Sequence, residues 1–230
     1  MSVKKVCGRL LYRIMYKVLP EYGYRSHHYS QDGEDIILRS LFEEYSRDYK
    51  GFYVDIGAHH PFRFSNTAIF YKKGWRGINI EANPSLMNCF HRYRKRDVNV
   101  NCGVGAEIAE ATFYLYKDSA ISTFSSEMVK HYEESTGNKP IKEIKIPINT
   151  VAAILDKYLP EGQKIDFISI DTEGLDLDVL QSNDWEKYSP KFVLVEVGIN
   201  KDRIFESMTA AGYIKIAKTL RTEIYTRNDV

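Results

Sequence analysis

Val54-Asp55-Ile56-Gly57-Ala58 is an apolar run that stops at an acid and a glycine, and Ile80-Glu81-Ala82 follows with its carboxylate 24 residues past that glycine. A strand, a tight turn, a helix and a second strand tipped with an acid form a nucleoside-binding half-site. The glycine admits close backbone approach and the acid can hold ribose hydroxyls. The turn continues Ala58-His59-His60-Pro61, so the later glycines that seat a dinucleotide pyrophosphate on a helix N-terminus are missing. A phosphate-free nucleoside suits this turn better.

Around that pair, apolar runs at Phe52 to Ile56, Gly77 to Glu81, Val98 to Cys102, Ile165 to Asp171 and Phe192 to Val197 have the length of buried strands. Helical periodicity over Asp35 to Tyr45, 66 to 73, 84 to 95, Val151 to Tyr158, Leu175 to Trp185 and Ile204 to Ala211 separates or flanks them. Tyr213 to Ala217 and Glu223 to Thr226 read as a closing antiparallel hairpin. The alternation predicts an α/β fold with a mostly parallel, seven-stranded sheet and helices on both faces. Between residues 111 and 148 the pattern breaks: Thr112 to Tyr116 and Glu143 to Ile148 alternate like strands, while 118 to 140 is rich in Ser, Thr, Gly and charge. This predicts an inserted hairpin with a mobile crossing that acts as a lid and selects the substrate. Residues 1 to 28 form an N-terminal helix and connection, and 29 to 230 the main domain.

The chain has 230 residues, 43% of them hydrophobic and 13% aromatic, enough for a substantial core. A net charge of +1 gives no footprint for nucleic acid. Cys7, Cys89 and Cys102 lack disulfide or zinc-knuckle spacing, which fits a reducing cytoplasm. Residues 1 to 20 carry five basic groups and no acid, spaced as an amphipathic helix too charged to span a bilayer. Such a helix packs on its own domain or on a second copy in a homo-oligomer, or makes peripheral contact with an anionic membrane face.

In a wound sheet ligands bind beyond the carboxyl ends of the strands. The residues there are Asp55, Gly57 and Ala58, then Glu81, Asn101 and Cys102, Asp171 to Gly174, and Glu196. Single acids at such places also cap helices, but five at one rim exceed what folding requires. They suit S-adenosylmethionine, a sulfonium cofactor without phosphate, with Glu81 on its ribose.

Ser30-Gln31-Asp32-Gly33-Glu34-Asp35, Gly51-Phe52-Tyr53-Val54-Asp55-Ile56-Gly57-Ala58, Ser65-Asn66-Thr67, Gly74-Trp75-Arg76-Gly77, Glu81-Ala82-Asn83-Pro84 and Ile168-Ser169-Ile170-Asp171-Thr172-Glu173-Gly174 occur in that order. Over residues 29 to 197 the chain resembles the FkbM-type S-adenosylmethionine-dependent methyltransferases. The resemblance implies a Rossmann-like class I methyltransferase sheet with Asp55, Gly57 and Glu81 at the cofactor. It also implies O-methylation of a hydroxyl on a sugar or secondary metabolite, here a sugar or glycan precursor.

Removing the acceptor proton needs a general base. Glu173 is the first candidate and Asp171 the second; the plainer role for Glu173 is to bind amides opening the helix after Gly174. His59 and His60 follow the glycine turn, with His60 slightly ahead as a base and hydrogen bonding within the turn as the alternative. Asp171, Glu173 and Glu196 could instead hold Mg²⁺, a less favoured arrangement. Gln31, Glu34 and Asp35 read as a cover over the cofactor mouth, with helix capping by Ser30 or Asp32 as the alternative. The basic run Arg92 to Arg96 reads as a solvated helix end. N-methylation of an amino sugar and a cofactor-binding scaffold without turnover are the rival functions.

Overall fold

The computed structural model describes residues 18–19, 21, 26–43, 48–198 and 200–228. The amphipathic helix read over residues 1–20 therefore falls, apart from Val18 and Leu19, outside the described residues. Helix α1 (Glu34–Leu41) leads into strand β1 (Phe52–Ile56), helix α2 (Ala68–Lys72), β2 (Arg76–Ile80), α3 (Pro84–Tyr93) and β3 (Val98–Val100). After an insertion come α5 (Val151–Tyr158), β7 (Phe167–Ile170), α6 (Asp176–Gln181), β8 (Phe192–Glu196), α7 (Lys201–Ala210), β9 (Tyr213–Lys218) and β10 (Thr222–Arg227). The seven strands lie in the order β3-β2-β1-β7-β8-β10-β9, with β10 antiparallel to both its neighbours and the rest parallel. The wound sheet and its closing hairpin match the expectation from sequence.

Strand β1 is buried along its whole length, so its alternating side chains feed two cores. Phe52, Val54 and Ile56 join the cluster with Ile78, Ile168 and Val193, while Tyr53 joins Phe70, Trp75, Phe167 and Phe192 on the other face. The chain leaves β1 toward β2 on one side and later returns to β7 on the other. The gap between β1 and β7, at their carboxyl ends, is thus the switch point where a doubly wound sheet opens a crevice.

The insertion is more ordered than its composition suggests. Strands β4 (Gly103–Val104), β5 (Ala109–Leu115) and β6 (Lys142–Asn149) form a separate small sheet in the order β4-β6-β5. The segment read as a mobile crossing holds an 11-residue helix, α4 (Ser126–Thr136). The Ser125 side chain accepts from the Met128 amide at 3.2 Å, and Gly137 stops the helix at φ +72°. None of its residues is fully buried, so it has no apolar period to betray it. Its capping residues were the only legible signal.

The basic run also needs correction at one position. Arg92, Lys95 and Arg96 are exposed as expected, but Arg94 is fully buried. Its guanidinium donates to the Tyr53 hydroxyl at 2.9 Å, to Ser65 and Thr67 hydroxyls at 3.0 Å each, and to the Pro61 carbonyl at 3.1 Å. Asp97 stands 3.5 Å away as its counter-charge. The bonds to Pro61, Ser65 and Thr67 pin the segment between β1 and α2, and the bond to Tyr53 ties it to the strand.

Candidate active site

A cavity of about 950 Å³ opens at the switch point. Its floor is the turn after β1. Gly57 adopts φ +75°, and a Cβ there would sit 1.7 Å from the Asp171 carbonyl oxygen, so no larger residue fits. Gly57 and Ala58 amides both donate to the Ile80 carbonyl at 3.0 Å, locking the ends of β1 and β2 together.

On the β2 side, Glu81 lines the cavity at 7% exposure. One carboxylate oxygen accepts from the His59 amide at 2.7 Å and the other from the Asn83 amide at 2.6 Å. Burial pushes its pKa up to about 7 against those two bonds. Each oxygen keeps a second lone pair, and hydroxyl donors would favour the ionised form. Cys102 also lines the wall, where burial raises its thiol pKa.

On the β7 and β8 side, carboxylate oxygens of Asp171, Glu173 and Glu196 lie within 4.8 Å of one another. Three such groups cannot all be ionised in one desolvated corner. Burial, then Glu196 and Glu173, hold Asp171 well above the usual carboxylate range, and its carboxyl donates to Glu196. Burial and the charges of Glu173 and Asp176 place Glu196 at about 7. Glu173 is raised too, by burial, but the Tyr132 hydroxyl donates to its Oε2 at 2.6 Å and favours the charged form. Thr123 donates to the Glu173 carbonyl at 2.9 Å. Both donors come from the insertion, so the segment read as a lid is what fixes Glu173. The plainer role considered for Glu173 is taken by Asp176, which accepts from the amides of Thr172 at 2.8 Å and Gly174 at 3.3 Å.

Not every strand-end residue reaches the cavity. Gln31, Gly57, Glu81, Cys102, Asp171, Glu173 and Glu196 line it, while Asp55, Ala58, His60 and Asn101 are not on its wall. Asp55 points to the opposite sheet face, where it accepts from Thr67 at 2.6 Å and burial raises its pKa to about 6. Strand alternation, with Ile56 facing the cavity, accounts for this. Ala58 packs on Met87 and Phe90, and Asn101 donates to the Glu81 and Ala82 carbonyls at 2.7 and 3.0 Å. His60 Nδ1 accepts from the amides of Phe62 and Arg63 at 3.1 and 3.0 Å, so His60 shapes the turn.

His59 takes the cavity position instead. Its Nε2 lies 3.0 Å from the Ser119 hydroxyl, its Nδ1 is buried without a partner among the described residues, and burial lowers its pKa to about 4. Of the cover segment only Gln31 touches the cavity. Asp35 accepts from Ser30 and the Tyr29 amide, and Glu34 accepts from Thr219 at 2.6 Å, tying α1 to the closing hairpin. Sequence reasoning missed Arg63, Phe64, Asp118, Tyr132 and Arg221 on the wall, because they come from segments that meet only in the folded chain.

No helix among the described residues is long and apolar enough to cross a membrane. A search of curated proteins found no match. Among solved structures, the chain is similar to a TehB-like SAM-dependent methyltransferase from Corynebacterium glutamicum (8% identity, 94% of this chain and 97% of that one, TM-score 0.43). It is also similar to Burkholderia thailandensis 1,6-didemethyltoxoflavin-N1-methyltransferase, solved with S-adenosylhomocysteine (10% identity, 98% and 89% coverage, TM-score 0.41). A third is Aeropyrum pernix fibrillarin with S-adenosyl-L-methionine (10% identity, 84% and 72% coverage, TM-score 0.41). The methyltransferase FkbM domain matches residues 55–215, well over half of the chain. The chain belongs to the FkbM methyltransferase family.

Proposed function

We propose that this methyltransferase O-methylates a hydroxyl of a sugar or glycan precursor, with Glu173 as the general base. The donor is S-adenosylmethionine, which supplies an electrophilic methyl group on a sulfonium. The residues present suit it: Glu81 is a buried carboxylate with free lone pairs for ribose hydroxyls, Gly57 permits close backbone approach, and the acid-rich wall complements a cation.

The observation that carries the proposal is the placement of Glu173. It lines the same cavity as Glu81, and the insertion holds both its side chain and its carbonyl. Tyr132 occupies Oε2, and Oε1 takes no hydrogen bond from the described residues. That oxygen is free to receive the acceptor proton. Asp171, held well above the usual carboxylate range by burial and by Glu196 and Glu173, donates to Glu196 and so is less suited than Glu173 to act as the base. His59, held neutral by burial, lines the same cavity with its Nε2 3.0 Å from the Ser119 hydroxyl.

Labelled S-adenosylmethionine incubated with a panel of sugar nucleotides and free glycosides, read by mass spectrometry, tests the reaction. The product mass fragments separate oxygen from nitrogen acceptors. Glu173→Gln should lower turnover by about 10² to 10⁴-fold while leaving S-adenosylhomocysteine affinity near wild type. Turnover preserved in that variant removes Glu173 from the base role. Activity that survives exhaustive chelation excludes a Mg²⁺ requirement at Asp171, Glu173 and Glu196.

A further inference from the structure

Among the described residues, three besides glycine have positive φ: His59 at +50°, Phe64 at +56° and Glu173 at +51°. All three line the same cavity. Such backbone conformations are disfavoured for residues with a Cβ, most of all for bulky ones, and persist only where the surroundings enforce them. His59 and Glu173 carry polar groups that the reaction can use. Phe64 carries none, and at 40% exposure its ring is far from fully buried in a core. Neither burial nor hydrogen bonding accounts for it.

The turn that carries Phe64 is nonetheless rigid. Arg94 holds Pro61, His60 Nδ1 holds the amides of Phe62 and Arg63, and the Ser65 amide donates to the Tyr29 carbonyl at 3.0 Å. The Arg63 guanidinium lies 4.5 Å from the Phe64 ring centroid, and the His59 ring is tilted only 23° from it at 6.4 Å. Arg63 also forks onto Asp118 of the insertion at 3.0 and 3.2 Å. The result is an aromatic ring fixed in orientation, with the Arg63 guanidinium over one face and 40% of the residue still exposed.

We infer that Phe64 is the platform on which the acceptor's sugar ring stacks, and that it sets acceptor specificity. A pyranose has an apolar face of C–H groups and a rim of hydroxyls. The C–H face suits the part of the aromatic ring that the Arg63 guanidinium leaves exposed, and Arg63 and Asp118 line the same cavity with groups that can bond rim hydroxyls. This inference rests on the sugar-methylation reading and adds the residue that recognises the ring.

The test compares Phe64→Gly with Phe64→Trp. Glycine is at ease at φ +56°, so the first variant removes the ring without straining the turn, and its melting temperature should not fall below wild type. Its KM for the labelled acceptor should rise about 3- to 10-fold or more, with a smaller change in kcat and unaltered S-adenosylhomocysteine affinity by calorimetry. Phe64→Trp, which restores an aromatic face, should recover most of the loss. Running each sugar nucleotide beside its free methyl glycoside identifies the stacked ring: a KM change shared by both assigns it to the sugar. A change seen only with the nucleotide overturns the inference, as does an acceptor KM that Phe64→Gly leaves unchanged. If wild-type enzyme labels no sugar in the panel, the sugar reading falls and this inference with it.

Discussion

The two sides of the cavity are built by different means. The side formed by β1 and β2 uses consecutive strand ends, with Gly57 and Glu81 set by backbone amides and carbonyls. The opposite side collects Phe64 from one turn, Asp118, Thr123 and Tyr132 from the insertion, and Arg221 from the last hairpin. The first is a property of the sheet and follows the backbone wherever this topology occurs. The second depends on side chains far apart in the chain, so it is the side that can vary without altering the strand ends across from it.

The sharpest way to break this comparison is to loosen the support that both sides share. Arg94→Ala leaves Asp97 buried without its counter-charge, with only the donors Tyr53, Gly77 and Asn79, and unpins the turn carrying His59 and Phe64. Denaturant melts should show a loss of about 3 to 5 kcal/mol. A loss under 1 kcal/mol would mean that the turn is held by other contacts.

On the strand-end side, Glu81→Ala should weaken S-adenosylmethionine binding on the order of 10- to 100-fold by calorimetry, as expected for charge-assisted bonds to ribose hydroxyls. The same residue shapes the pH response. Its pKa rises from 4.5 to about 7 on folding, so the folded state binds the extra proton across that window. Its contribution to stability therefore declines as pH rises from about 4.5 to about 7, and levels off above that. Melting temperature should fall over this range in wild type and fall less in Glu81→Gln. Cofactor affinity should move the opposite way and increase with pH, because ribose hydroxyls prefer the carboxylate. An affinity that does not change between pH 5.5 and 8 would detach Glu81 from the cofactor.

The smallest effect is predicted at the rim. Arg63 and Asp118 are about half exposed, and exposed ion pairs contribute roughly 0.2 to 1 kcal/mol. Asp118→Asn should therefore shift stability by less than about 1 kcal/mol, a difference that added salt should erase. Any larger loss would show that the fork braces the insertion rather than merely edging the cavity.

Much of the strand-end side was legible in the sequence. Gly57 and Glu81 could be placed because a buried strand of known length ends in a turn, and ends of neighbouring parallel strands meet at one rim. The reading failed where direction mattered. Asp55 sits one residue before Ile56, and strand alternation sends it to the other face; which face bears the cavity is not written in the local pattern. His59 and His60 are a similar case, since adjacent turn residues exchange roles with a single φ of +50°. Helix α4 went unseen because an exposed helix needs no apolar stripe, although Ser125 and Gly137 marked its ends. Arg94 looked like its solvated neighbours because its partners Tyr53, Ser65 and Thr67 lie 27 to 41 residues away.

The order of the strands of the main sheet and the helices between them, the glycine at the switch point and the acid that follows β2 were determined by the sequence alone, because each follows from periodicity and from the backbone geometry a residue allows. Only the tertiary structure decided which histidine faces the cavity, which carboxylate of the β7–β8 cluster the insertion holds through Tyr132 and Thr123, and that a strained phenylalanine lines the same cavity. Those outcomes depend on burial and on partners brought together across the fold, and neither is a local property of the chain.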